Sequence, residues 1–203
     1  MNTLVQMARD SWGLLPLLLL VFILGVAVII ERSGFFLKRV RPGLSLAEDL
    51  QQVAPGELDK LRQVASHYEG TVQGALVAAT LPLQGRSEQA LEREVEEQIM
   101  ISLPRLDRHL WLLDTCVTLG PLLGLLGTIV HLIEAFAVLS RQQGQAMGSV
   151  TAPIAQALVA TAAGLVVAVV CVVALNFFNK RIRLLVNQLD LIKSQLIGRL
   201  ASP

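Results

Sequence analysis

The chain has 203 residues, 53% of them hydrophobic and only 16% charged, with a mean hydropathy of +0.59, which is too apolar for a water-soluble domain and marks a membrane protein. A formal net charge of +1 and an aromatic content of 4% exclude both a basic footprint and a set of base-stacking rings, so nucleic acid is not a partner.

Residues 1–13 are expected to lie outside, ahead of the membrane. Leu14 to Ile30 is a run of seventeen uncharged, apolar residues preceded by Trp12 and followed by Glu31 and Arg32, which predicts a first transmembrane helix over 14–31. A cleaved signal peptide would need its positive charge before the apolar run and a small-residue cleavage site after it. Here Arg9 stands alone against Arg32, Lys38, Arg39 and Arg41, so the charge bias puts the N-terminus outside and the next segment in the cytoplasm.

Residues 32–113 form a polar cytoplasmic insert without a clean spanning window. Ser45 with Glu48 reads as a capping box, Pro55 to Tyr68 as a helix closed by Gly70, and Thr71 to Thr80 as a small-residue segment ended by Pro82. Ser87 is placed to cap a longer helix whose apolar stripe runs through Leu91, Val95, Ile99, Leu103, Leu106, Leu110 and Leu113 into the membrane, with a possible kink at Pro104. Glu92, Glu94, Glu96 and Glu97 fall on its solvated face, where they carry no catalytic role.

A second span is expected over 114–139, a short loop over 140–151, a third span over 152–178 and a helical tail over 179–203. Ala152 to Phe178 is free of formal charge over 27 residues. Of the seventeen Lys and Arg residues only Arg9 and Arg141 fall outside, which fits three spans with the N-terminus out and the C-terminus in. Ile182, Leu185, Leu189, Ile192 and Leu196 continue a helical stripe that should pack on the Ser87 helix. The expected fold is therefore an all-α membrane protein with three transmembrane helices and long helical extensions into the cytoplasm.

Two stretches organise these spans: Gly120 to Thr128, GPLLGLLGT, and Ala152 to Gly164, APIAQALVATAAG. Glycine, alanine and threonine in such runs let two backbones approach closely where lipid gives no hydrophobic drive to associate. With Leu139 and Ala152 as outer ends, Thr128 and Thr161 come out roughly 16 and 13 Å deep, His131 within roughly 2 Å of Thr161, and Glu134 level with Gln156. Threonine and glutamine here have two readings, interhelical glue or a functional polar layer, and for the threonines neither is favoured. Glu134 is a stronger functional candidate, since an ionisable group inside a span costs about 2.5 to 3.5 kcal/mol and normally faces a partner or cavity. Cys116 and Cys171 lack the spacing of a metal or disulfide framework, and lone His131 does not make a metal site. No nucleophile and base pair or phosphate loop is present, so an enzyme is not expected, nor a cofactor.

These residues carry a resemblance. GPLLGLLGT with Phe136, then APIAQALVATAAGL with Asn176, is similar to the MotA/TolQ/ExbB proton-channel family, in its TolQ and ExbB branch, and Glu31-Arg32 at the end of the first helix agrees. The resemblance implies a homopentamer in the bacterial inner membrane, with its N-terminus in the periplasm, around a dimer of a single-span partner resembling ExbD or TolR that brings an intramembrane aspartate into the pore. Proton flow would drive motion passed to the periplasm or outer membrane, through a periplasm-spanning protein such as a TonB or TolA relative. It implies that Thr128 and Thr161 line the pore and that Gly120, Pro121, Gly124, Gly127 and Gly164 are packing positions. Two departures stand out: Gln156 where the family carries a third-helix glutamate, and Val170 where it carries a proline. Glutamine cannot ionise, so Glu134 is a candidate replacement from the opposite helix. A non-conducting scaffold of the same fold and a MotA-like rotary stator are the alternatives, three spans rather than four arguing against the stator.

Overall fold

Every regular element is helical in the computed structural model, which describes residues 13–141 and 147–200. In chain order they are α1 (Leu14–Phe35), a π-helical turn (Phe36–Val40), a 3-10 turn (Arg41–Gly43), α2 (Leu46–Gln51), α3 (Leu58–His67), α4 (Val72–Thr80), a second 3-10 turn (Leu81–Leu83), α5 (Glu88–Leu106), α6 (Leu110–Arg141) and α7 (Met147–Leu200). Three of them, α1, α6 and α7, are long and apolar enough to cross a membrane, so the chain is an all-α, multi-pass membrane protein. Arg9, Trp12 and positions 142–146 of the expected loop lie outside the described residues.

The chain divides into two compact units, Met1–Ile29 with His109–Phe177 and Ile30–Arg108 with Phe178–Pro203. In the first, α1 buries Leu14, Leu18, Val21, Gly25 and Val28, one face at steps of three and four. The outward faces stay apolar: Ile133 and Phe136 on α6 and Leu158 and Val173 on α7 are more than 60% exposed. Such surface is stable only against lipid or another protein.

The second unit is built around the C-terminal half of α7. Leu185, Leu189, Ile192, Leu196 and Leu200 are buried, and so are Leu91, Val95 and Ile99 of α5. Lys193 ties the two helices, its Nζ 3.8 Å from Glu92 and 4.0 Å from Glu96, so two of the α5 acids serve packing. Buried amides link the insert to α7. Gln73 is fully buried and donates to the Val40 carbonyl at 3.2 Å and to Gln188 at 3.1 Å, while Gln188 donates to the carbonyls of Gly43 and Leu44.

Several expectations need correction. Ser45 does not cap α2, because its hydroxyl pairs with Tyr68 Oη at 2.8 Å, and Tyr68 donates in turn to Asp49 at 2.5 Å. Burial first and the Asp49 carboxylate second raise the Tyr68 pKa above its usual value. Ser87 sits at the N-cap of α5 without a capping side-chain bond. The stripe from Leu91 to Leu113 is not one helix. It breaks at Asp107–His109, where His109 adopts φ 65°, so Leu103 is 36% exposed while Leu110 and Leu113 belong to the other unit. Helices α6 and α7 also run into the expected loop from both sides, reaching Arg141 and starting at Met147.

Arg32 explains how the α5 terminus is finished. It is 2% exposed, and its Nη1 donates to the carbonyls of Arg105 at 3.1 Å and Leu106 at 3.4 Å, two of the acceptors a helix C-terminus leaves open. Glu31 at 3.0 Å and the Phe35 ring at 5.0 Å hold the guanidinium in place. Arg32→Met keeps the bulk and strands both carbonyls, so it should destabilise the protein by about 2 to 3 kcal/mol in thermal or denaturant unfolding. Glu31→Gln, at a part-exposed partner, should cost less than about 1 kcal/mol.

Candidate functional site between the second and third spans

Helices α6 and α7 meet along a seam with almost no side chains in it. A Cβ added at Gly120 would lie 2.7 Å from the Gly164 carbonyl oxygen, one at Gly124 would lie 3.1 Å from both the Ala160 oxygen and the Thr161 Cα, and one at Gly127 would lie 2.8 Å from the Ala160 Cβ. Adding a Cβ at Gly164 would meet the Gly120 carbonyl and, at 3.0 Å, the Gly124 Cα. Backbone therefore packs on backbone, which is how helices associate without a hydrophobic drive. Ala157 and Ala160 complete the seam from α7, both nearly fully buried. Their spacing from Gly164, at steps of three and four, was the sequence signal for them. Pro121 lies within α6 and leaves the Val117 carbonyl without its helical donor.

The glycine contacts fix the register. Gly124 faces Thr161, and the Thr161 hydroxyl donates to the Gly124 carbonyl at 3.1 Å. Thr128 is therefore one turn, about 6 Å, further along α6 and not level with Thr161. Its own hydroxyl turns back to the Leu125 carbonyl at 2.6 Å. Glu134 is likewise about a turn beyond the level of Gln156, which is exposed. The depth count misses because α7 begins at Met147, five residues before its expected outer end.

Azimuth sorts the candidates into two groups. At about 100° per residue, Thr128 lies roughly 80° round α6 from Gly120 in one sense, whereas Cys116 and Glu134 lie roughly 40° round in the other. On α7, Thr161 is roughly 60° from Gly164 in the first sense and Gln156 roughly 80° in the second. Since the helices are antiparallel, the same sense on both points to the same side of the seam. Thr128 and Thr161 thus share one side, Glu134 and Gln156 the other. Cys116 identifies the second side, because its thiol donates to the Val21 carbonyl of α1 at 3.5 Å. The two threonines look away from α1, and the five polar candidates do not form one continuous layer.

His131 lies in the seam itself, roughly 20° round α6 from Gly120; it is 1% exposed, and its Nδ1 lies 3.4 Å from a carboxylate oxygen of Glu134, one turn along the same helix and on the α1 side. The pair is within ion-pair distance, though outside hydrogen-bond geometry. A carboxylate beside a buried imidazole is an arrangement able to hold and pass a proton. Gly25 on α1 packs against the two thiols: a Cβ there would lie 2.8 Å from Cys171 Sγ and 3.8 Å from Cys116 Sγ. Reading the apolar runs alone did not single out Gly25, although it is the one glycine within the first run.

Comparison with known proteins follows the same residues. Residues 64–191 match the family model described as the MotA/TolQ/ExbB proton channel family. An ExbB-like 3 protein of Synechocystis is 33% identical over 85% of this chain and 82% of its own length. The biopolymer transport protein ExbB of Neisseria gonorrhoeae is 30% identical over 80% of this chain and 74% of its own length. The Tol-Pal system protein TolQ of Haemophilus influenzae is 31% identical over 70% of this chain and 56% of its own length.

Proposed function

Because the chain belongs to the MotA/TolQ/ExbB proton channel family, in its TolQ and ExbB branch, we propose that it is the proton-channel subunit of an energy-transducing complex in the bacterial inner membrane. Five copies would surround a dimer of a single-span partner resembling ExbD or TolR, with the N-terminus in the periplasm and the insert and tail extending into the cytoplasm. The role is conductive and mechanical rather than enzymatic and uses no cofactor.

The observation that carries this proposal is the close glycine and alanine seam with Thr128 and Thr161 on the side away from α1. In a ring of such subunits that side would face the axis, and the two hydroxyl oxygens, a turn apart and with their own protons held by backbone carbonyls, would accept from the partner's protonated aspartate at successive depths. Conducted protons would drive rotation or tilting of the partner, and the motion would reach a periplasm-spanning protein resembling TonB or TolA. Co-expression with the single-span partner and mass measurement of the purified complex test the assembly. Five copies of the 22.0 kDa chain with two of the partner are expected, and a lone monomer in mild detergent would count against it.

A second reading, a non-conducting scaffold, draws on Gln156, an amide where the family carries a carboxylate. Glu134 answers it, since it lies on the same side of the seam as Gln156, with His131 within ion-pair distance, and supplies the ionisable group that Gln156 lacks. Glu134→Gln is expected to lower proton flux by about tenfold while the oligomer stays intact. Wild-type flux from that variant would mean that the carboxylate marks the helix end only.

A further inference from the structure

At the start of the second unit, a cleft of about 340 Å³ opens between the π-helical turn and the α3–α4 junction, lined by Lys38, Arg39, His67, Glu69, Gly70 and Thr71. We propose that this cleft binds a phosphate anion, and that the anion is the headgroup of an anionic phospholipid. The volume is at the lower end for small-molecule sites.

Two permanent cations face one carboxylate, Glu69, so the lining is net positive before His67 is counted. Arg39 donates from Nη1 to the Gly70 carbonyl at 2.9 Å, which uses one of its five N–H groups and leaves four for an anion. Gly70 takes φ +83°, the conformation that turns its carbonyl toward Arg39 and leads into α4. Thr71 then caps α4, accepting from the Gly74 N–H at 3.0 Å, so the positive end of that helix opens at the cleft as well. His67 packs edge-on against the Tyr68 ring with centroids 4.9 Å apart, which keeps the imidazole in place.

Position along the chain favours lipid over a soluble anion. About 20 helical residues from Leu14 traverse the hydrocarbon, which puts Lys38 about 7 Å beyond it, in the headgroup layer. Basic pockets at the ends of transmembrane helices select anionic headgroups, whereas scattered surface lysines attract them only diffusely.

The test reconstitutes the full-length protein in nanodiscs of phosphatidylcholine doped with spin-labelled phosphatidylglycerol. Compared are the wild type, a cleft variant (Lys38→Gln, alone and with His67→Gln added, which leaves the Arg39–Gly70 bond in place) and a charge-matched variant (Lys180→Gln). A saturable preference for phosphatidylglycerol, about tenfold weaker in the cleft variant and unchanged in the charge-matched one, is expected. Equal losses in both variants would overturn the site in favour of diffuse attraction. A second arm titrates inorganic phosphate into the detergent-solubilised protein: saturable binding there without any lipid preference would overturn the lipid source, and binding in neither arm would overturn the proposal. Helix content and oligomer size, read on each variant, exclude misfolding as the cause, and Lys38→Gln alone carries the comparison if the double variant unfolds.

Discussion

Thr161→Val is expected to lower proton flux through the assembled complex by at least about tenfold, an increase of about 1.4 kcal/mol or more in the barrier, while the oligomer keeps its wild-type mass. Valine matches threonine in shape but can neither donate nor accept. The Thr161 hydroxyl donates its one proton across the seam to the Gly124 carbonyl at 3.1 Å and sits on the side away from α1, so its oxygen can accept from a proton-carrying group while it ties the helices. Loss of that one bond costs only about 0.6 kcal/mol in a membrane bundle, too little to dismantle a seam made of five close backbone approaches. Flux and assembly should therefore separate. If both fall together, Thr161 is glue and not part of the path.

The second large effect is a matter of one methyl group in two places. Gly164→Ala puts a Cβ against the Gly120 carbonyl and 3.0 Å from the Gly124 Cα, and since both are backbone, no rotamer change can relieve the clash. The helices must part, at a cost toward the upper end of the roughly 1 to 3 kcal/mol typical of overpacking. Gly198→Ala makes the identical chemical change further along the same helix, where a Cβ meets nothing within 4 Å. There, in the last turn of the helix, it should stabilise slightly, by up to about 0.5 kcal/mol, less than the gain from removing a helix-interior glycine. For a chain of this length each kcal/mol moves the melting temperature by about 2 to 4 °C, so circular dichroism in detergent should show shifts of opposite sign. Two shifts of the same sign would deny that Gly164 is a contact position.

How much of this was legible in the sequence depends on the scale of the physics. Long uncharged runs can only be membrane helices, so the three spans followed from composition. The seam followed from glycine and alanine spacing, because close helix approach demands small residues at fixed steps. Register did not follow: the level of Thr161 against Gly124 depends on where α7 starts, and a polar stretch such as 140–151 does not reveal that helix runs into it from both ends. Side chains that answer to distant partners were also hidden. Ser45 has the spacing of a capping box, yet Tyr68, 23 residues on, takes its hydroxyl. Arg32 looked like one more interfacial cation until the open carbonyls of Arg105 and Leu106 came to lie beside it. The break at His109 likewise has no strong local signal beyond Pro104, since the apolar stripe continues straight through it.

The central claim is that this chain conducts protons with a single-span partner, along the side of the seam that carries Thr128 and Thr161. The most direct measurement is proton uptake into vesicles holding the purified complex, driven by a potassium diffusion potential and read with a pH-sensitive dye. Uptake is expected from the wild-type complex, strongly reduced with Thr161→Val, and absent when the partner's intramembrane aspartate is replaced by asparagine. Vesicles as tight as protein-free controls with the wild-type complex in place, or uptake indifferent to both substitutions, would contradict it.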